Sequence, residues 1–327
     1  MTAPSYFPER PSQLSALLRH AMDELHEKLP ALDHSIAGVC ISRFGRLLSD
    51  CRIALTSEAW KQLISEVVRV HPGFPLLQQD PFTARCFEKP RGYAGDPELL
   101  DFVFDHPACH IKRRAATPLG RLIHGYSTKG SAANSVRARR GVLARAMDQQ
   151  SQRVTSPRIL ALACGHLREV ELSKAFQNRR LSRMVALDHD AKSAQCVGDA
   201  YPSEALDIRV AGPRDLLRPD FREELGGSFQ LVYTAGLFDY LSDRYASRLM
   251  AAMFDFASAG GSVLVANFVP GLRDAGYMEA CMDWWLTYRT PSQMMALLSG
   301  IDGNRIQSAR TFLDADKNMV FLEVNKR

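Results

Sequence analysis

The chain has 327 residues, 46% of them hydrophobic and 24% charged, ordinary globular proportions for one large domain or two modest ones. Its net charge of +5 is spread along the chain, and no basic segment is interleaved with aromatics, so no nucleic-acid partner is expected. No run of about 18 apolar residues offers a membrane span, the first residues lack the order of a signal peptide, and seven cysteines without paired spacing read as free thiols in a reducing cytoplasm.

Up to about residue 150 the pattern is helical. "LSALLRHAMDELHEKL" places Leu14, Leu17, Leu18, Ala21, Met22 and Leu25 at helical spacing. "SEAWKQLISEVVRV" continues in that style and stops at His71-Pro72. The stretch "CFEKPRGYAGDPELLDFVF" then puts two glycine turns around Tyr93. Asp96-Pro97 follows as a helix start, aspartate as the N-cap and proline at the first position, where its missing N–H is no loss. In "HPACH", His106, Cys109 and His110 have the chemistry of metal ligands but no partner cluster, and no metal is assigned. A helix runs through "SAANSVRARRGVLARAM", whose arginine cluster reads as a solvated face. The helical region also offers a surface for homo-oligomerisation. The polar "QQSQRVTSPR" is the expected junction between a helical region, residues 1–150, and a second domain, residues 151–327.

Beyond it, "RILALAC", "RMVALD", "LDIRVAG", "FQLVYTA" and "GSVLVANF" are short apolar runs separated by helical stretches. Strands alternating with helices imply a parallel sheet covered on both faces. "NRIQSARTFLD", "ADKN" and "MVFLEVNK" close the chain as a hairpin, which makes one of its strands antiparallel. The expected fold is α/β: a Rossmann-like sheet of seven strands with a closing antiparallel hairpin, the strand programme of class I methyltransferases. A plain dinucleotide-binding fold more often ends on another helix–strand unit.

Open α/β sheets bind ligands outside the carboxyl ends of their strands. After the first strand come Ala163, Cys164 and Gly165, the glycine allowing backbone to approach a ligand. The loop is not G-x-G-x-x-G, which a pyrophosphate would need. Asp188 ends the second strand, placed to accept from ribose hydroxyls; Asp190 is an alternative cap for the next helix. Asp215, past the third strand, could face an adenine amino group or cap a helix. At the fourth tip, Gly236 leaves room for a cofactor, while Phe238, Asp239 and Tyr240 could line an acceptor pocket, Phe238 having core packing as its other reading. Trp284, Tyr288 and Arg289 follow the fifth strand, the aromatics reading as core or as a further acceptor wall and Arg289 as a carboxylate partner or a surface salt bridge.

"KPRGYAGD", "AGLFDYLSD" and "MEACMDWWLTYR", in this order, resemble a bacterial group of class I S-adenosylmethionine (SAM) dependent methyltransferases, one related to enzymes that make 3-hydroxy fatty acid methyl esters. The similarity spans roughly residues 80–327, with "LALACGHLRE" departing from the usual first motif. It implies SAM as cofactor and a small-molecule acceptor, methylated on a carboxylate; a hydroxyl or nitrogen acceptor, or a non-catalytic SAM- or nucleotide-binding module, are the alternatives. Arg91 and Tyr93 are then expected at the cofactor, the turn that carries them folding over the sheet edge. A carboxylate needs no general base. A hydroxyl would, with Asp239 or His166 as candidates.

Overall fold

The computed structural model describes residues 11–107 and 116–327. Cys109 and His110 lie outside the described residues. The chain divides into two compact units: residues up to Ala133 with Gly271–Trp285, and Asn134–Pro270 with Leu286–Arg327. The boundary therefore falls inside the helix Ser131–Arg153, not at the polar stretch near residue 150. A segment from beyond the fifth strand also returns to the helical unit.

In the helical unit, Leu14, Leu18, Met22 and Leu25 of helix Pro11–Lys28 are buried against Phe44 and Leu48 of helix His34–Ala54. Leu17, expected in the same stripe, is 46% exposed because it falls on the stripe's edge. Helix Ser57–Leu63 continues as a π-helical turn, Ile64–Val68. Three helices here begin with a capping side chain followed by proline: Asp80 before Pro81, Asp96 before Pro97 and Thr117 before Pro118. Each cap contributes about 0.5–2 kcal/mol. Gly92 and Gly95 have φ of 87° and 75°, the two turns read from the sequence.

The second unit holds seven strands: β1 Arg158–Leu162, β2 Arg183–Asp188, β3 Leu206–Val210, β4 Phe229–Ala235, β5 Ala257–Phe268, β6 Ile306–Leu313 and β7 Met319–Lys326. Their order is β3-β2-β1-β4-β5-β7-β6. The first five run parallel, and β7 lies antiparallel between β5 and β6. This is the α/β, Rossmann-like fold of class I methyltransferases, closing hairpin included. Leu160, Val185, Val232, Val263 and Leu322 are buried side by side on one face, against Leu249, Met250 and Met253 of helix Asp243–Phe256. The strand order reverses between β1 and β4, and that switch point opens the crevice where ligands of such sheets bind. Among the described residues no helix is long and apolar enough to cross a membrane, and no cluster of His, Cys, Asp and Glu could hold a metal ion.

Candidate functional site

At the end of β1 the backbone turns sharply. Ala163, Gly165 and Leu167 have φ of 50°, 55° and 53°, left-handed conformations that cost a non-glycine residue about 1–3 kcal/mol and persist where the surroundings impose them. Two hydrogen bonds impose this one: the Cys164 N–H donates to the Leu187 carbonyl at 3.0 Å, and the Gly165 N–H donates to Asp188 Oδ2 at 2.8 Å. The carboxylate at the tip of β2 thus fastens the loop at the tip of β1.

Asp188 is 3% exposed, and its Oδ1 accepts from the Asp190 N–H at 3.0 Å. Asp190 caps the next helix by accepting from the Lys192 N–H at 2.9 Å, so Asp188 has no capping duty. A carboxylate offers about four lone-pair positions; with two backbone donors, and His189 Nδ1 3.5 Å from Oδ1, it keeps capacity for a hydroxyl donor. Asp215 is occupied more locally, its Oδ2 accepting from the Gly212 N–H at 2.8 Å. This closes the turn after β3.

The tip of β4 is more crowded than the sequence suggests. Gly236 has φ of 93°, and a Cβ on it would stand 3.0 Å from Nη1 of Arg139. The room beside this glycine is taken by a guanidinium. Arg139 is 7% exposed, and no hydrogen bond or ion pair joins it to another described residue. Burial lowers its affinity for its proton, opposed by the nearby charges of Asp239 and Glu169. Glu169 is buried and accepts from the Tyr233 hydroxyl at 2.7 Å; burial pushes its carboxyl upward against that hydrogen bond. His166, the other general-base candidate, is buried as well, at 7% exposure.

Asp239 is 2% exposed and accepts from the Phe268 N–H at 2.7 Å. Burial raises its carboxyl to about 6, against the opposing effects of the Phe268 amide, Arg139 and Arg289. The loop that carries it is fixed by Arg289, which is 1% exposed. The Arg289 guanidinium donates to the Phe238 carbonyl at 2.7 Å, Asn267 Oδ1 at 2.8 Å, the Leu241 carbonyl at 2.6 Å, and Asp243 Oδ1 at 3.0 and 2.9 Å. All its donors are satisfied internally, so the expectation that Arg289 pairs with an acceptor carboxylate is corrected: it is a scaffold for the β4 loop.

Phe238 is likewise corrected, being fully buried in the apolar cluster under the sheet, where it contributes about 1.5–3 kcal/mol. Tyr240, 41% exposed, is open to solvent. Tyr288 belongs to the sheet unit, and Trp284 to the helical unit, where it is 7% exposed. Arg91 and Tyr93 are in the helical unit too, Arg91 lying 3.7 Å from Glu98 and Tyr93 half-buried.

Sequence reasoning missed Arg139. Its signal was register: Ser135, Val136, Leu143, Met147 and Gln150 are buried on the same helix, and an arginine at i+4 from one and i−4 from the next of these faces inward. In "RARRG" that one position is hidden among the half-buried Arg137 and Arg140 and the exposed Ala138. Glu169 and Tyr233 were missed too: Glu169 ends "LALACGHLRE" and Tyr233 lies within "FQLVYTA", neither at a position that itself reads as a strand tip.

No family model matches the chain, and no curated protein matches it. Among solved structures, one of a possible exported protein from Bordetella parapertussis is similar over 97% of each chain, at 13% identity and a TM-score of 0.52. The N-methyltransferase NodS from Bradyrhizobium japonicum WM9, in complex with S-adenosyl-L-homocysteine, is similar over 58% of this chain and 87% of its own, at 11% identity and a TM-score of 0.40. Magnesium protoporphyrin IX methyltransferase from Synechocystis PCC 6803, with bound SAM, is similar over 60% of this chain and 84% of its own, at 10% identity and a TM-score of 0.41. The first of these likenesses is one of fold.

Proposed function

We propose that the chain is a SAM-dependent methyltransferase that esterifies a carboxylate on a small, partly apolar acid. The observation that carries the cofactor is the Asp188 carboxylate, fastened to the Gly165 amide at the switch-point crevice and relieved of capping by Asp190. The charges favour a sulfonium over a pyrophosphate. Buried Asp188, Glu169 and Asp239 end or follow β1, β2 and β4, and such carboxyls suit a cation and repel a dianion. The left-handed loop also lacks the glycine-rich cradle a pyrophosphate needs. The acceptor rests on the motif resemblance and the mild positive charge.

When bound, SAM supplies an electrophilic methyl group on a positively charged sulfur. The chain's part is alignment and exclusion of water: Asp188 accepts from the ribose hydroxyls, the β1 loop lets backbone approach closely, and the buried Asp239 loop presents the acceptor side. A carboxylate acceptor is already ionised, so no proton needs to be removed. A hydroxyl or amine acceptor is the second reading, favoured by Asp239, whose carboxyl at about 6 is suited to a general base near neutral pH.

Calorimetric titration with SAM, its demethylated product and NADH tests the cofactor; binding of NADH alone would refute this assignment. Transfer of labelled methyl groups into a metabolite extract tests the acceptor. Base-labile label is expected from an ester, and a stable ether or N-methyl product would move the assignment to the second reading. The pH profile separates the two independently. Esterification stays flat between pH 5 and 8, whereas reliance on Asp239 as base makes the rate fall below about pH 6.

A further inference from the structure

We propose that Arg139 anchors the α-carboxylate at the methionine end of the cofactor, an inference that rests on SAM being the ligand. The crevice has a direction. Asp188 at the tip of β2 marks the ribose end. Moving from β2 past β1, the next tip is that of β4, where the amino-acid end of an elongated ligand arrives. That end carries one carboxylate, and the group waiting at the tip is a guanidinium.

Three observations make Arg139 a ligand-binding group and not a structural ion pair. First, it is buried, at 7% exposure, and holds no hydrogen bond or ion pair with another described residue, although isolated buried charges are costly and ordinarily paired. Second, the two nearby acids have other partners: Glu169 accepts from Tyr233 and Asp239 from the Phe268 amide. Third, the Arg139 guanidinium stands beside Gly236, with Nη1, Nη2 and Cζ at 3.0, 3.3 and 3.5 Å from where a Cβ would be. A Cβ at position 236 would press on it, and the guanidinium would have to give by a few tenths of an ångström. A planar guanidinium suits a carboxylate through two parallel hydrogen bonds, a geometry lysine cannot reproduce.

The test compares SAM with decarboxylated SAM, which differs only in lacking the carboxylate, by titration calorimetry on the full chain. For the wild type, SAM is expected to bind at least tenfold more tightly than its decarboxylated analogue. In Arg139→Met that preference should disappear, with the analogue's affinity unchanged; Arg139→Lys should restore part of it. Thermal unfolding without ligand confirms that each variant is folded. Equal preference in wild type and Arg139→Met overturns the assignment, as does equal weakening of both ligands in folded Arg139→Met. If neither ligand binds the wild type, the cofactor reading itself falls, an outcome distinct from a lost or retained preference.

Discussion

Replacing Asp188 by alanine removes the acceptor that holds the Gly165 amide as well as the one offered to the ribose. Hydrogen bonds to a charged group contribute about 1.5–3 kcal/mol, so binding of SAM and its demethylated product should weaken by at least tenfold. Asp188→Asn keeps one acceptor for the loop and should sit between wild type and alanine. Unchanged affinity in folded Asp188→Ala would remove the ribose assignment. Asp239 makes a prediction of the opposite kind, about stability. Its carboxyl is raised to about 6 in the folded protein by burial, above its value in an unfolded chain of about 3.9. Between these values the folded state binds more protons than the unfolded, so the contribution of this group falls as pH rises through the window. In Asp239→Asn that dependence vanishes, and the asparagine oxygen still accepts from Phe268. The stability of wild type relative to the variant should therefore drop by about 2 kcal/mol between pH 4 and 7, read by urea unfolding at several pH values. A constant difference would show that the carboxyl is not raised.

Single elements show what the sequence could disclose. Strands buried on both faces are continuous apolar runs, and "RILALAC", "RMVALD" and "FQLVYTA" match β1, β2 and β4 closely. Residues at strand ends were legible for the same reason, because position along the strand fixes the tip: Gly165, Asp188, Gly236 and Asp239 all follow or end a parallel strand. Side-chain direction off the strands was not legible. Phe238 turns into the core and Arg289 into the β4 loop, and both choices depend on packing against β5 and helix Asp243–Phe256, which the local pattern does not carry. Arg289 also carries a prediction at this scale. It donates to two main-chain carbonyls, an asparagine and Asp243, which would all lose a charged donor in Arg289→Met. Asp243 is exposed to solvent, so the cost falls on the buried carbonyls and Asn267 left without a donor, about 1–3 kcal/mol for each, measurable as a lower urea midpoint. Arg289→Lys should recover little of it, since a point charge cannot meet acceptors in several directions. A variant as stable as wild type, with altered acceptor affinity, would return Arg289 to the substrate.

Over the whole molecule, the helical unit is not one stretch of chain, and no composition shift announces it: it takes in Gly271–Trp285 after the fifth strand. What that segment brings is specific. Ala280 and Cys281 are fully buried in the helical core, and Glu279 accepts from Arg52 Nε at 2.8 Å and Trp60 Nε1 at 2.7 Å. A Cβ on Gly276 would stand 2.6 Å from the Leu48 carbonyl carbon, so the segment lies directly on helix His34–Ala54. Asp283 is held by Lys89 and by Arg69 at 2.8 Å. Burial would raise its carboxyl, but those donors and Trp285 outweigh it and hold it at about 2. A fragment ending at Ala133 would leave the Trp60 N–H buried without an acceptor, at about 1–3 kcal/mol, and open the core where Ala280 and Cys281 sit. It should lack near-ultraviolet circular dichroism and cooperative unfolding. The repair follows from one contact, the Ala132 N–H donating to Asp274 Oδ2 at 2.6 Å, which brings the two ends of the unit side by side. Joining residues 11–133 to 271–285 through a short glycine–serine linker should therefore restore a cooperative transition, because closing so small a gap adds little entropy. That transition should weaken in the Glu279→Gln form of the joined chain, where the charged acceptor for Arg52 is lost. Cooperative unfolding of the plain 1–133 fragment, or none in the joined chain, would show that the returning segment is not part of the helical core.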